Sequence, residues 1–76
     1  MNKIQKVWLV QLTAQEPEIY GTAQKAYEAI RDFIEKNYDA DDDVDQMLEE
    51  LAEDYMNYPT SFGVEDVGNA IEYYVL

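Results

Sequence analysis

Gly63-Val64-Glu65-Asp66-Val67-Gly68-Asn69-Ala70-Ile71-Glu72-Tyr73-Tyr74-Val75-Leu76 settles the architecture of this chain. Its first five residues look like a helix start, but Gly68-Asn69 interrupts them. Beyond the interruption Ile71, Tyr73 and Val75 alternate with Glu72, Tyr74 and Leu76, the period of two of a half-buried strand. Both readings stand on the residues alone; a neighbour favours the strand. Residues 3–12 are rich in Val, Trp, Ile and Leu, and Ile4, Trp8, Val10 and Leu12 share one face of a first strand. The same stretch also fits a helical period at positions 4, 7, 8 and 12. If the first strand is central it needs a hydrogen-bonding partner on each side, and a final strand beside it supplies one.

Between these two segments the pattern changes twice. Thr13-Ala14-Gln15-Glu16-Pro17 breaks the first strand, Pro17 holds Glu16 extended, and Glu18-Ile19-Tyr20-Gly21-Thr22 resumes as a short edge strand. From Ala23 the period is helical. Ala23, Ala26, Tyr27, Ile30, Phe33, Ile34 and Tyr38 fall on an arc of roughly 140° at about 100° per residue. The opposite side offers Glu28 with Arg31, Arg31 with Glu35 and Asp32 with Lys36 as opposite-charge pairs.

A second helix follows. Val44, Met47, Leu48, Leu51, Tyr55 and Tyr58 lie within roughly 100° of arc, Asp41 to Asp43 offer an N-cap, and Pro59 ends the helix. The expected fold is therefore α+β: one domain spanning residues 1–76, in the order ββααβ, with a three-stranded antiparallel sheet packed on two helices.

Charge separates the two halves. Residues 1–36 hold five acids and all five bases, whereas residues 37–76 hold twelve acids and no base, the whole net charge of −12. On the second helix Asp42, Asp45, Glu49 and Glu53 form one row, flanked by Asp43, Glu50 and Asp54. Such a balance argues against direct binding to nucleic acid or anionic membrane and leaves basic partners. Without His or Cys, imidazole and thiolate metal sites, thiol chemistry and histidine-dependent triads are excluded. No apolar run approaches a membrane span, and Val7-Trp8-Leu9-Val10 is too short for a signal peptide. The expected location is the cytoplasm, that of a host cell if a phage encodes the chain.

Three constellations compete for a function. Asp39, Asp41, Asp43, Asp45 and Glu50 match positions one, three, five, seven and twelve of a calcium loop, but Val44 stands where the sharp turn needs glycine and also opens the apolar stripe. No metal site and no cofactor are expected. Glu49 with Glu53, or Glu50 with Asp54, are carboxylate pairs one turn apart, yet they lie on the solvent side rather than in a desolvating cleft, so no enzyme is expected. Tyr27, Tyr38, Tyr55 and Tyr58 sit on apolar arcs and belong to core packing. Tyr20, Tyr73 and Tyr74 are candidate contact anchors beside the acidic face.

The acidic rows admit a plain reading, solubility. Against it, like charges at i, i+4 cost roughly 0.2–0.5 kcal/mol each, and the first helix of the same chain dilutes its acids with bases. Rows at this spacing put carboxylates about 5–6 Å apart, a scale comparable with phosphates along a nucleic-acid strand.

In size and in the stretch Asp39-Ala40-Asp41-Asp42-Asp43-Val44-Asp45, continued by Glu49-Glu50 and Glu53-Asp54, the chain resembles the small acidic DNA-mimic inhibitors of phages and mobile elements, such as anti-restriction and anti-CRISPR proteins. The resemblance is compositional and covers about a quarter of the sequence. It implies a nuclease or effector whose basic nucleic-acid site is the partner. The opening Val7-Trp8-Leu9-Val10, then Ile19-Tyr20-Gly21, also looks like small α+β proteins of bacteria and phages. The expected function is a non-enzymatic inhibitor occupying such a site through Asp42, Asp43, Asp45, Glu49, Glu50, Glu53 and Asp54 with Tyr20, Tyr73 and Tyr74. The alternative is an acidic adaptor or small structural domain recognising a basic protein surface. Either acts as a monomer or a homodimer.

Overall fold

The computed structural model describes residues 3–76. In chain order its elements are β1 (Gln5–Leu12), β2 (Glu18–Tyr20), α1 (Ala23–Asn37), a 3-10 turn (Ala40–Asp42), α2 (Val44–Asn57), β3 (Ser61–Val64) and β4 (Gly68–Val75). The strands form one antiparallel sheet in the order β2-β1-β4-β3. Strand β1 is central, between β2 and β4, as its need for two partners requires.

The sheet has four strands rather than the expected three, and the order is ββααββ. The difference lies in Ser61–Val67, where the helix-start signature is instead a strand and a turn. Val67 N–H donates to the Val64 carbonyl at 3.0 Å, and Asp66 between them has φ of 65°, which no helical turn accommodates but which Asp tolerates. Phe62 and Val64 alternate inward, both buried, and β3 covers part of the outer edge of β4.

Both helices pack on the same face of the sheet, α2 over β3 and α1 over β1, β4 and β2. That face takes the even-numbered strand residues. Val10, Phe62, Val64 and Ala70 meet Ala26, Ile30, Ile34 and Leu51, with Val67 from the hairpin turn. Leu51 has no exposed surface, so truncating it to Ala costs roughly 2–5 kcal/mol, much of what a small domain has. An aromatic run ties the layers together: Tyr27 of α1 stacks on Tyr55 of α2 at 4.7 Å, and Tyr55 meets Phe62 of β3 edge-on at 5.0 Å. Trp8 is half-buried on the same face, and its indole N–H donates to the Pro59 carbonyl at 3.0 Å. Ile4, expected beside it, precedes β1 and is exposed.

The odd-numbered face carries no helix, and its exposure is uneven: Ile19, Ile71 and Tyr73 are exposed, Leu9 is half-buried and Val7 is buried. Its cross-strand pairs are Val7 with Tyr73, Leu9 with Ile71 and with Ile19, and Ser61 with Ile71. None of these residues belongs to the core cluster. Every odd-numbered strand residue is uncharged, whereas Lys6, Glu18 and Glu72 all fall on even positions.

Candidate protein-binding face

Two features separate α1 from α2 electrostatically. Helix α1 is capped by Thr22, whose hydroxyl accepts the Lys25 N–H at 3.1 Å, and carries Lys36 in its last turn. Arg31 pairs with Glu35 at 3.5 Å as the spacing anticipated, and with Asp32 at 3.4 Å. Helix α2 begins on Asp43 in the left-handed region, φ 57° and ψ 45°, with no side-chain cap, and has no base in its last turn. Acids near that C-terminal end oppose the helix dipole.

The acidic row is shorter than the sequence suggested. Asp42 lies in the 3-10 turn, where its carboxylate accepts the Asp39 N–H at 2.9 Å in a capping box, and the kink at Asp43 separates it from α2. The continuous row is Asp45, Glu49 and Glu53, with Glu50 alongside, all exposed. Asp54 is half-buried, and its carboxylate accepts the Gly63 N–H at 2.9 Å, fastening α2 to β3. Among the described residues, the ion pairs are those of Arg31 and that of Lys6 with Glu72, so no cation neutralises residues 41–53.

The tyrosines are redistributed. Tyr20 and Tyr74 project on the helix side of β2 and β4, each hydroxyl donating to a carboxylate two residues earlier on its own strand, Glu18 and Glu72. Those hydrogen bonds, helped by slight burial and the carboxylate charge at Tyr20 and by the carboxylate charge at Tyr74, raise both phenol pKa values. Tyr73 faces the other way, onto the helix-free sheet face, opposite buried Val7. The three expected anchors therefore do not converge on the acidic row. Tyr58, assigned to the core by periodicity, is 62% exposed because the helix ends at Asn57 before Pro59. It borders a shallow groove with Glu50, Glu53, Asp54 and Asn57, and is the aromatic that stands beside the carboxylates. The signal for it was Pro59, which takes the residue before it out of the helical region.

For the calcium-loop spacing, the positive φ falls at Asp43, one position before the required turn, and Val44 already opens α2. Among the described residues, no group of three or more acidic side chains converges as a metal cage. None of the helices in that range is long and apolar enough to cross a membrane.

In comparisons with known proteins, the chain matches no family model, no curated protein and no solved structure.

Proposed function

We propose that this protein is a non-enzymatic inhibitor that presents α2 to the basic nucleic-acid-binding site of a defence or DNA-processing protein, in place of the nucleic acid. The observation that carries this reading is the uncompensated row Asp45, Glu49 and Glu53 with Glu50, exposed on a rigid helix that is anchored on its other side by Leu51, Tyr55 and Asp54. Side chains one turn apart stand about 5–6 Å from each other, so the row offers a basic groove a ladder of negative charge at fixed intervals. Binding it releases cations gathered along the acidic row, as DNA binding releases those condensed on the phosphates.

Tyr58 adds an aromatic contact at the C-terminal end of the row, of the type enriched at interface hot spots. The test is competition. A partner captured with the immobilised protein binds either DNA or this protein, and its affinity for this protein falls steeply with salt. A captured partner that holds both together, with little salt dependence, favours the alternative of an acidic adaptor on a basic protein surface.

A further inference from the structure

The helix-free sheet face asks for a different occupant. In a chain with 17 acids and 5 bases, its odd-numbered positions carry no charge, and its exposed apolar residues are Ile19, Ile71 and Tyr73, beside half-buried Leu9 and buried Val7. Ile19 is 58% exposed and Ile71 49%, in adjacent rows on either side of Leu9. A surface without charge offers nothing to the basic partner that suits α2. We propose that it packs against the same face of a second copy, giving a back-to-back homodimer with the helices outermost.

Charge geometry favours this occupant. Two copies, each at −12, repel wherever acidic layers oppose one another, and the sheet face is turned away from α2. With layers about 10 Å apart, the two helical layers of such a dimer stand about 30 Å from each other, several Debye lengths at physiological salt. The face is self-complementary across a two-fold axis, since Leu9 and Ile71 lie at the middle of β1 and β4.

The face itself spans about 25 Å along β1 and β4 and about 15 Å across, so two of them bury on the order of 1,000 Å2, the lower end of specific interfaces. Area does not fix affinity, but an interface of this size is a weak, concentration-dependent one, so the test spans about 10–1,000 µM.

Sedimentation equilibrium of the full chain tests this. The wild-type protein should approach twice its 8.9 kDa chain mass as concentration rises through that range. Dimerisation should strengthen several-fold between about 0.05 and 0.5 M salt, as repulsion between the copies is screened. Ile71→Lys and Ile19→Lys, at half-exposed positions, should each stay monomeric while keeping the wild-type circular dichroism and melting temperature. A wild-type protein that is monomeric throughout, or whose dimer weakens with salt, overturns the proposal, and the salt series needs no variant. A dimer that survives both substitutions also overturns it, because pairing then runs through a strand edge.

Discussion

Thr13 grips Val67 twice: its backbone N–H and its hydroxyl both donate to the Val67 carbonyl oxygen, at 3.0 and 2.8 Å, and the hydroxyl lies equally close to the Asp66 carbonyl. These contacts link the end of β1 to the turn between β3 and β4, more than fifty residues away in sequence, so the hairpin is held at its tip as well as along the β1–β4 ladder. Thr13→Val, which keeps the shape and removes the hydroxyl, should lower unfolding stability by about 0.5–1.5 kcal/mol in urea titrations. Thr13→Ser should retain most of it.

Asp54 and Glu53 are neighbours with opposite duties. Because Asp54 accepts the Gly63 N–H, Asp54→Ala should cost about 1.5–3 kcal/mol, whereas Glu53→Ala on the exposed row should stay within about 0.5 kcal/mol of wild type. Equal effects in chemical denaturation would mean that the anchor is not formed.

Gly63 is needed for a close approach. A Cβ there would stand 2.3 Å from the Gly68 carbonyl oxygen and 2.6 Å from the Asn69 Cα, both backbone atoms that give way only if β3 moves off β4. Gly63→Ala should therefore lose about 2–3 kcal/mol and broaden the NMR resonances of β3 first.

Tyr20 and Tyr74 should be among the last of the seven tyrosines to ionise on raising pH, because each donates to a glutamate. Glu72→Gln should bring Tyr74 back toward the ordinary phenol range, read by NMR or ultraviolet titration. The sign for stability follows from a folded pKa above the unfolded one: the contribution is whole below about pH 10 and is lost as pH rises through the folded values. Tyr74 is exposed, so its ionisation changes the titration curve more than the melting temperature, whereas Tyr20 is half-buried against the core.

Periodicity made β1, β2, α1, α2 and the terminal strand legible, because each has a face that the core selects. It failed at β3, whose four residues place only Phe62 and Val64 inward and whose turn uses Asp66 at positive φ instead of a glycine or asparagine. The charge asymmetry of the acidic face was equally plain. The separate duties of Asp42 and Asp54 were not, because their partners, the N–H groups of Asp39 and Gly63, become acceptable sites only once the chain has kinked at Asp43 and β3 has folded back on α2. The helix-free face was written in Leu9, Ile71 and Tyr73, but alternation identifies two faces without saying which one the helices cover.

If the α2 row is a binding surface rather than a solubilising one, neutralising it must cost binding and not stability. Asp45→Asn, Glu49→Gln, Glu50→Gln and Glu53→Gln together relieve the like-charge neighbours Asp45–Glu49 and Glu49–Glu53, each costing about 0.2–0.5 kcal/mol, and leave the Asp42 cap and the Asp54 anchor in place. The most direct measurement is displacement of proteins of a bacterial lysate from DNA-cellulose by the wild-type chain and by this variant, with polyglutamate at equal charge as the control. The wild-type chain should elute a defined protein that polyglutamate does not, while the variant should melt at the same temperature or higher and elute nothing. A variant of equal or greater stability that elutes the same protein as well as wild type would contradict the binding role, leaving the acidic row to solvation and the binding surface elsewhere.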